Sequence, residues 1–497
     1  MKNYKMVARL LAAALLCGSL LTAVACGTPA EGDKENTGKE TTSTGASTQA
    51  PEQENNGEEV RKKYYDTLEK EEFKRDFTIQ VLNNRKTEFL VEDYTGDILE
   101  NSIYERNTVV EDDFGIEIVC QVEEDYLKVN NNIMLQINGG LDEFDAYMGH
   151  KYSFTTCAQQ NALYDMASIV TMDLTAPYWD QACRENLVME DRNFMMTGDI
   201  NPYSMLISAC FAFNKDMHAE LNLANPFELV DNGNWTLDTM TSMISEVTYD
   251  LNGDGTIEHT SDRYGLTTWM MDAPFSLFYG AGGMFITIDE DGLPAVTFEA
   301  EEVVNIYEKI YRAIITEESY YVTDSNLYDT TYDVFLEGRA LFVDTSLNKI
   351  SNTFSNMEEE YGILPVPKYD KNQKEHLSFV NGASPFIMIC QTEKDTEFVG
   401  TILDAMAAYN YDNVTPKMFE IVTKLQTARD PDSSRMVDHI IRNRVYDFGY
   451  YVDLNVTNLI KESLNSGKAE IASGMKSYRT SSERAIAKLI QNWSKLS

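Results

Sequence analysis

The chain has 497 residues and a formal net charge of −39 at pH 7, with 80 Asp and Glu against 41 Lys and Arg. An acidic surface of this strength repels phosphate backbones and anionic lipid headgroups, so we expect no nucleic-acid partner. The length exceeds what one hydrophobic core accommodates and favours two lobes.

The N-terminus has the pattern of an export signal. A positively charged start precedes the apolar stretch Leu10–Val24, which is shorter than the ~20 residues that a membrane-spanning helix needs. Small residues then lead to Cys26, and this pattern resembles the lipobox of bacterial lipoproteins, in which the cysteine receives a diacylglyceryl group. The resemblance implies that residues 1–25 are a lipoprotein signal peptide and that lipidated Cys26 anchors the protein at the extracellular face of the cell membrane. The alternative is an ordinary cleaved secretory signal with a chance cysteine.

A polar segment follows over residues 26–74. It is dense in Gly, Thr, Ser, Glu, Asn and Lys, and it has almost no large apolar residue before Tyr64. Such a segment buries too little surface to offset its conformational entropy. We therefore predict a disordered tether between the anchor and the folded body.

Strands and helices alternate from Asp76 onwards. Periodicity and punctuation predict strands at Phe77–Leu82, Ile116–Val122 and Phe144–Met148, and helices at Ile98–Phe114, which Gly115 ends, and at Tyr126–Ile137. This alternation predicts an α/β fold with a parallel sheet, in which ligands gather at the carboxyl ends of the strands. A long strand is predicted over Ser204–Phe213, and Thr236 is predicted to cap a helix that has one apolar face.

The cysteines do not form a disulfide pattern. Five of them follow Cys26, at positions 120, 157, 183, 210 and 390, without CxxC spacing. Cys120, Cys210 and Cys390 lie in apolar runs, where a reduced cysteine behaves as a small hydrophobic residue. We expect no disulfide framework.

Several short motifs follow one another in the rest of the chain. They are Asn214-Lys215 after a strand, the helix start Trp235-Thr236-Leu237-Asp238, the turn from Phe335 to Phe342, the segment from Tyr361 to Pro367, Asn381-Gly382 before a strand, and Gly467-Lys468-Ala469 before a final helix. Their order and spacing resemble those of the extracellular solute-binding proteins of ABC importers, in the branch of maltose-binding protein. The likeness covers nearly everything after residue 75.

This resemblance implies a type II periplasmic-binding-protein-like fold, with two discontinuous α/β lobes and a central ligand cleft. The first lobe would comprise residues 75–207 and 341–380, and the second would comprise residues 208–340 and 381–497. The chain would cross between the lobes at Ser208–Asn214, Ala340–Asp344 and Phe379–Ile387. Ligand contacts to both lobes would then stabilise a closed state.

The resemblance also implies a function. The protein would be a monomeric lipoprotein that binds a sugar or oligosaccharide and delivers it to an ABC import permease. A non-sugar ligand, such as a peptide or polyamine, and a wall-facing scaffold or sensor are alternatives. The chain has no GxSxG, HExxH, phosphate-loop or GxGxxG motif, so we expect no enzyme. A surface-anchored carbohydrate-active enzyme stays a further alternative, since 80 acidic residues neither support nor exclude a catalytic carboxylate pair.

A sugar site needs aromatic faces for the C–H side of a pyranose, and amides or carboxylates for its hydroxyl groups. The aromatic candidates beside predicted strand-end loops are Tyr152, Tyr178, Trp179, Trp269 and Tyr450, and the polar candidates are Asn84, His150, Asp344 and Asn381. Trp179, in a polar loop, and Trp269, after a strand, are the strongest candidates. Core packing is the alternative for each aromatic residue, and an ordinary exposed histidine is the alternative for His150.

The acidic segment 250–262 begins like a calcium-binding loop. Oxygen ligands alternate at its positions 1, 3 and 5, and Gly255 allows the sharp turn at position 6. The expected ligands are Asp250, Asn252, Asp254, the carbonyl of Thr256, and Glu258 or Asp262. The last two are considered because Ser261 stands where a bidentate glutamate is usual. We predict one structural Ca²⁺, and the alternative is a solvated acidic turn.

Overall fold

The computed structural model describes residues 63–297, 300–354, 357, 359–420, 431–454 and 458–494. The predicted signal peptide, Cys26 and the tether up to residue 62 lie outside these described residues.

The described chain alternates short strands with helices. The strands are β1 (Arg75–Leu82), β2 (Ile116–Glu123), β3 (Ala146–Gly149), β4 (Ala209–Asn214), β5 (Tyr264–Trp269), β6 (Ile286–Ile288), β7 (Pro294–Val296), β8 (Ser319–Val322), β9 (Ala340–Ser346), β10 (Tyr361–Leu364), β11 (Ser378–Phe379), β12 (Phe386–Met388) and β13 (Arg444–Val445). The helices are α1 (Ile98–Phe114), α2 (Tyr126–Gly139), α3 (Lys151–Gln159), α4 (Gln181–Asn186), α5 (Lys215–Glu220), α6 (Pro226–Asp231), α7 (Leu237–Ile244), α8 (Ala273–Gly280), α9 (Ala300–Ile314), α10 (Thr330–Leu336), α11 (Leu347–Thr353), α12 (Thr396–Tyr409), α13 (Pro431–Arg442), α14 (Phe448–Tyr451), α15 (Asn458–Asn465) and α16 (Ala472–Trp493). Short 3₁₀ turns cover Tyr65–Thr67, Asn83–Glu88, Met166–Ser168, Pro202–Ile207 and Ser325–Leu327, and a π-helical turn covers Asn410–Val414.

One sheet has four strands in the order β12-β3-β1-β2. Strand β1 runs parallel to β2 and β3, with Ile79 opposite Cys120 and Ala146, and β12 runs antiparallel to β3. The predicted parallel pairing of the first three strands is confirmed. Because the carboxyl ends of parallel strands share one edge of a sheet, the segments that follow β1, β2 and β3 lie on the same side.

A second sheet has five strands in the order β10-β4-β9-β5-β8. Strand β5 is parallel to β9 and β8, and β4 is antiparallel to β9 and β10. Trp269 ends β5, and Asp344 lies near the end of the buried strand β9. Both residues therefore stand at one edge of this sheet, where a ligand site is expected in α/β folds.

Capping residues in the sequence predict the boundaries of two helices correctly. Helix α1 has the predicted bounds, because Asp97 accepts hydrogen bonds from Leu99 N and Glu100 N at its start. At its end, Gly115 adopts a left-handed φ of 61°, which glycine tolerates without strain. Thr236 caps α7 as predicted, by accepting a hydrogen bond from Thr239 N.

The strand pairing differs from the predicted assignment of chain segments to lobes. Strands β9 and β10 lie within residues 341–380, which were expected in the first lobe, yet both pair with β4 in the five-stranded sheet. Strand β12 lies within residues 381–497, which were expected in the second lobe, yet it pairs with β3. The segment Ala340–Asp344 is thus a central strand and not a crossing. A short apolar run has the same sequence pattern in a central strand and in a segment that crosses between lobes. Only the strand with which it pairs distinguishes the two cases.

Two further boundaries differ from the sequence-based expectation. The long strand predicted from Ser204 begins only at Ala209, because a 3₁₀ turn occupies Pro202–Ile207. The tether was predicted to run to residue 74, but Tyr65 is only 5% exposed, and its backbone N–H donates a hydrogen bond of 2.9 Å to Asp412. Burial of one aromatic ring is enough to hold this end of the polar segment against the body.

Within the described part of the chain, no helix has the length and apolar character needed to cross a membrane. The five cysteines that follow Cys26 are free thiols, and all but the half-buried Cys120 are buried.

Candidate ligand-binding site

A cavity of about 240 Å³ lies at the edge of the five-stranded sheet where β5 and β9 end. Its walls come from several distant parts of the chain. They include Arg85 after β1, Trp269 and Asp272 after β5, Ser276 on α8, Tyr328 and Tyr332 around α10, Asp344 on β9, Lys349 on α11, and Phe379, Asn381 and Ala383 around β11. Segments that follow strands of both sheets therefore contribute to one concave, mixed polar and apolar site.

Aromatic rings form one side of the cavity. The ring centroids of Trp269 and Tyr328 are 4.4 Å apart, and Tyr332 lies 5.4 Å beyond Tyr328. The Trp269 Nε1–H is buried and has no hydrogen-bond partner among the described residues. An unpaired buried donor costs free energy, which a ligand acceptor would restore.

A buried carboxyl group forms the floor. Asp344 is 1% exposed, and its Oδ2 accepts hydrogen bonds from Ser276 Oγ at 2.8 Å and from Thr268 Oγ1 at 3.2 Å. Its Oδ1 is buried without a partner among the described residues. The cavity thus has one unpaired buried acceptor, Asp344 Oδ1, and one unpaired buried donor, Trp269 Nε1.

A second carboxyl group, that of Asp272, also lines the cavity. It stands at the N-cap position of α8, but its side chain makes no capping hydrogen bond. Burial raises the pKa of Asp272 to about 7, although the charge of Lys349 opposes the shift. Burial, and then the charge of Asp272, raise the pKa of Asp344 well above its usual range. The two carboxyl groups therefore compete for ionisation and retain a proton near neutral pH.

Two cationic side chains face the same space. The Nζ atom of Lys349 lies 4.7 Å from the ring centroid of Tyr328 and 4.8 Å from that of Tyr332. The Nε atom of Arg85 is buried and has no hydrogen-bond partner among the described residues. Neither cation is joined to Asp272 by an ion pair within the described chain, so polar groups of both signs stay available to a ligand.

An aromatic cluster of Tyr126, His150 and Tyr152 lies at the matching edge of the four-stranded sheet. The His150 ring is 5.0 Å from Tyr126 and 5.7 Å from Tyr152, and its Nδ1 accepts a hydrogen bond from Tyr152 N. Burial lowers the pKa of His150 to about 4, with a further contribution from the charge of Arg85. The imidazole is thus neutral at pH 7, and Arg85, whose charge acts on it, also lines the cavity.

The structure brings together three of the nine predicted ligand-binding residues. Trp269, Asp344 and Asn381 line the cavity. His150 and Tyr152 lie in the aromatic cluster, and Tyr152 is 44% exposed. The ligand contacts themselves stay predictions for all five.

Two other predicted residues lie just outside the cavity lining. Asn84 is exposed on the turn after β1. Tyr450 is buried behind Phe379, with 4.9 Å between ring centroids, and its hydroxyl accepts a hydrogen bond from Gly382 N.

Tyr178 and Trp179 are core residues and do not line the cavity. They are 3% and 1% exposed, and both donate hydrogen bonds to the buried carboxylate of Asp404. The surrounding loop is polar, but it folds over α12, which removes both rings from solvent. The expectation that Trp179 is a leading ligand contact was wrong for this physical reason.

Sequence reasoning missed four prominent cavity residues, which are Arg85, Asp272, Tyr328 and Lys349. Arg85 is adjacent to the predicted Asn84, and Asp272 follows Trp269 by three positions, so both had a weak positional signal. Tyr328 and Lys349 had none, because they reach the cavity only through the packing of α10 and α11.

The predicted calcium loop is closed by its own hydrogen bonds. Asp250 accepts from Gly253 N and Gly255 N, Asn252 from Asp254 N, and Asp254 from Thr256 N and Oγ1. Asp262 accepts from Leu251 N and Glu258 N. In the described residues, no group of three or more His, Cys, Asp or Glu side chains is arranged to hold a metal ion. A Ca²⁺ ion here would depend on Asn252 and the Thr256 carbonyl as well, and the site stays a prediction.

No protein-family model and no curated protein matches this sequence. Solved structures do match. A cyclo/maltodextrin-binding protein complexed with maltotetraose superposes with a TM-score of 0.51 at 12% identity, covering 83% of this chain and 96% of that one. An ABC substrate-binding protein from Listeria monocytogenes in complex with cycloalternan has a TM-score of 0.50 at 13% identity, covering 85% and 100%. The maltose-binding protein MalE of Listeria monocytogenes, in complex with maltose, also has a TM-score of 0.50 at 13% identity, covering 85% and 98%. The predicted α/β fold of the type II periplasmic-binding-protein-like class is confirmed.

Proposed function

We propose that this chain is a solute-binding protein that captures a sugar or oligosaccharide in the described cavity and delivers it to an ABC import permease. The fold supports the proposal, since the structural neighbours are binding proteins solved with cycloalternan, maltotetraose and maltose. The observation that carries it is the pairing of the Trp269–Tyr328 wall with two unsatisfied polar atoms, Trp269 Nε1 and Asp344 Oδ1.

These groups match the two kinds of surface that a pyranose presents. The C–H face of the ring packs on an aromatic side chain, and the hydroxyl groups around its edge both donate and accept hydrogen bonds. Asp344 Oδ1 would accept from one hydroxyl, Trp269 Nε1 would donate to another, and Asn381 would supply further polar contacts. A bound sugar would therefore remove two unsatisfied buried groups at once.

The protein works by binding and release, without a covalent step. Ligand contacts from Arg85, after a strand of one sheet, and from Trp269, after a strand of the other, would favour a closed state over an open one. The permease would then bind the closed state in preference to the open one. The chain acts as a monomer in this scheme.

The test is a titration of the purified protein with a panel of mono-, di- and oligosaccharides, followed by calorimetry, thermal unfolding and product analysis. We expect at least one sugar to bind unchanged and to raise the Tm. Trp269→Ala should weaken its affinity by roughly tenfold or more, because stacking and one hydrogen bond are lost. Tyr94→Ala, at a tyrosine that is 59% exposed and outside the cavity, is the matched control.

Three outcomes would contradict the proposal. The first is the absence of binding to every sugar in the panel. The second is equal affinity of the Trp269→Ala variant. The third is the release of shortened sugars, which would support the enzyme alternative, since the cavity does hold two carboxyl groups, Asp272 and Asp344.

We also propose that Cys26 is lipidated and holds the protein at the extracellular face of the cell membrane. The signal-like leader that ends at Cys26 supports lipidation at this residue. The polar tether supports a role near the membrane, because it would keep a captured solute close to its permease. The proposal predicts that Cys26→Ala moves the protein from the membrane fraction to the medium. Continued membrane retention of that variant would contradict it.

A further inference from the structure

The geometry points to a sugar that carries a protonated amino group as the ligand, with the ammonium group held between Asp272 and Asp344 and the ring stacked against Trp269. This inference rests on the proposed function and specifies its substrate class. It goes beyond the neutral sugars named for the structural neighbours.

The floor of the cavity has an excess of free acceptors. Asp344 is almost fully buried, and its Oδ1 has no partner among the described residues. A buried carboxylate oxygen without a donor is costly, and the cost is larger for a charged group than for a neutral one. A ligand that brings a donor to this point would satisfy the oxygen once the carboxyl group is ionised.

Asp272 stands at a helix N-cap without acting as a cap. An aspartate at a helix N-cap usually accepts a hydrogen bond from the first turn, and this one does not. No described residue gives its side chain a hydrogen bond or an ion pair. Its carboxylate instead lines the cavity together with Asp344. Two adjacent carboxyl groups with free acceptor sites suit a group that brings several N–H donors and a positive charge, as an ammonium group does.

Several other titratable groups act on the carboxyl pair. The groups are Lys349 from α11, Arg85 after β1, the phenols of Tyr328, Tyr332 and Tyr450, and the buried thiol of Cys210 on β4. Lys349 rests over the rings of Tyr328 and Tyr332 and forms no ion pair within the described chain. Its charge does not offset burial, because the pKa of Asp272 is still raised to about 7. A proton, and not a protein cation, therefore balances the two carboxyl groups when the cavity is empty.

The size and charge of the protein agree with this ligand class. A cavity of about 240 Å³ is smaller than the roughly 300–1,000 Å³ typical of drug-sized ligands, which favours one or two sugar rings. The formal net charge of −39 raises the local concentration of cations and speeds their encounter with the site.

Binding of the ammonium group should be coupled to the release of a proton. The ligand enters as an ammonium ion, and the proton shared by Asp272 and Asp344 leaves to the buffer. Binding of one ligand should release up to one proton. Affinity should rise from about pH 5 to about pH 7, as the carboxyl groups ionise, for as long as the amine stays protonated.

The experiment compares glucose, glucosamine and N-acetylglucosamine, and the β-1,4-linked dimer of each, by calorimetry in two buffers of different ionisation enthalpy. N-acetylglucosamine is the matched ligand control, since acetylation keeps the nitrogen and removes the charge. We expect the amine to bind at least roughly tenfold tighter than both neutral partners, with proton release.

Two matched variants locate the charge. Asp272→Asn keeps the side-chain shape and removes one negative charge, so it should abolish the preference for the amine. Lys349→Met keeps the apolar stem and removes a nearby positive charge, so it should strengthen amine binding. If either variant fails to fold, the preference of the unmodified protein among the six sugars still decides the question.

The outcomes separate this inference from the proposed function. Neutral sugars that bind as tightly as their amino counterparts would overturn the inference and leave the proposed function standing. Binding of none of these six sugars would overturn the inference, and the proposed function would fall with it only if the wider sugar panel also failed to bind. Tighter binding of the acyclic polyamine spermidine than of any sugar would overturn both. Unchanged amine preference in Asp272→Asn would overturn the assignment of the ammonium group to this carboxyl pair.

Discussion

The indole Nε1 of Trp179 donates a hydrogen bond of 2.8 Å to Asp404 Oδ1, across 225 residues of sequence. Tyr178 Oη donates to the other carboxylate oxygen at 2.6 Å. Burial raises the pKa of Asp404, and the two hydrogen bonds oppose the shift by stabilising its ionised form. The loop of residues 173–180 is thereby attached to α12 by a buried polar cluster.

This cluster predicts that Trp179 contributes to stability and not to ligand binding. Trp179→Phe keeps the ring but leaves an Asp404 oxygen without its donor, so the free energy of unfolding should fall by about 1–3 kcal/mol. Ligand affinity of the folded variant should match that of the unmodified protein. Trp269→Phe should behave in the opposite way, with weaker binding and little change in Tm. Denaturant unfolding and calorimetry on both variants decide the matter, and a loss of affinity in Trp179→Phe at full stability would contradict the assignment.

The buried carboxyl group of Glu88 should make stability depend on pH. Burial raises its pKa to about 7, against the charge of Arg85, hydrogen bonding from the Tyr203 backbone and the Asn201 side chain, and the charge of Arg106. Between its ordinary pKa of 4.5 and 7, the folded protein holds a proton that the unfolded chain releases. Its contribution to stability is therefore favourable at low pH and is lost as pH rises through this window, by up to about 3 kcal/mol.

The variant Glu88→Gln should remove this dependence. The difference in unfolding free energy between the variant and the unmodified protein should shift in favour of the variant from pH 5 to pH 8. Glu185→Gln, at an exposed carboxylate, is the control. A constant difference for Glu88→Gln would show that this carboxyl group titrates normally.

Gly382 should not tolerate a side chain. It is buried between β11 and β12, its N–H donates to Tyr450 Oη at 3.2 Å, and its carbonyl accepts from Lys151 N at 3.0 Å. A Cβ atom here would lie 2.9 Å from Tyr450 Oη and 3.1 Å from Lys151 Cδ. Gly382→Ala should therefore lower the free energy of unfolding by about 1–3 kcal/mol, as overpacking does.

A double-mutant cycle tests the cause of that loss. Tyr450→Phe removes the oxygen that the new methyl group would meet, so the double variant should be more stable than the sum of the single effects predicts. Strict additivity, measured by denaturant unfolding, would place the cost of Gly382→Ala elsewhere.

The calcium prediction has a direct thermal test. After verified metal removal, added Ca²⁺ should raise the Tm, because an ion that binds only the folded state stabilises it by about 2.7 kcal/mol at a concentration of 100 times its Kd. Asp254→Asn should abolish the shift. Asp291→Asn, in the exposed turn that Asp289 closes by accepting from Asp291 N and Leu293 N, should leave it intact. If neither chelator nor added Ca²⁺ changes the Tm, the loop is a solvated acidic turn and not a calcium site.

The sequence by itself determined the local elements and the fold class. Asp97 and Gly115 mark both ends of α1, and the alternation of apolar runs and helical spacing up to β3 predicts the parallel pairing that the structure contains. These features depend on residues that are neighbours along the chain, so caps, periodicity and turn residues are sufficient to predict them. The ordered motifs added the class of fold, although no single one of them is specific.

Only the tertiary structure decided which side chains form the site. Trp179 and Trp269 were both predicted as ligand contacts, but α12 brings Asp404 to the first, and the packing of α10 and α11 leaves the second beside a cavity. The carboxyl groups of Asp272 and Asp344 come together because β5 lies next to β9, a pairing between strands that are distant in sequence. Burial and charge environment are properties of such three-dimensional neighbours, and a local sequence pattern does not contain them.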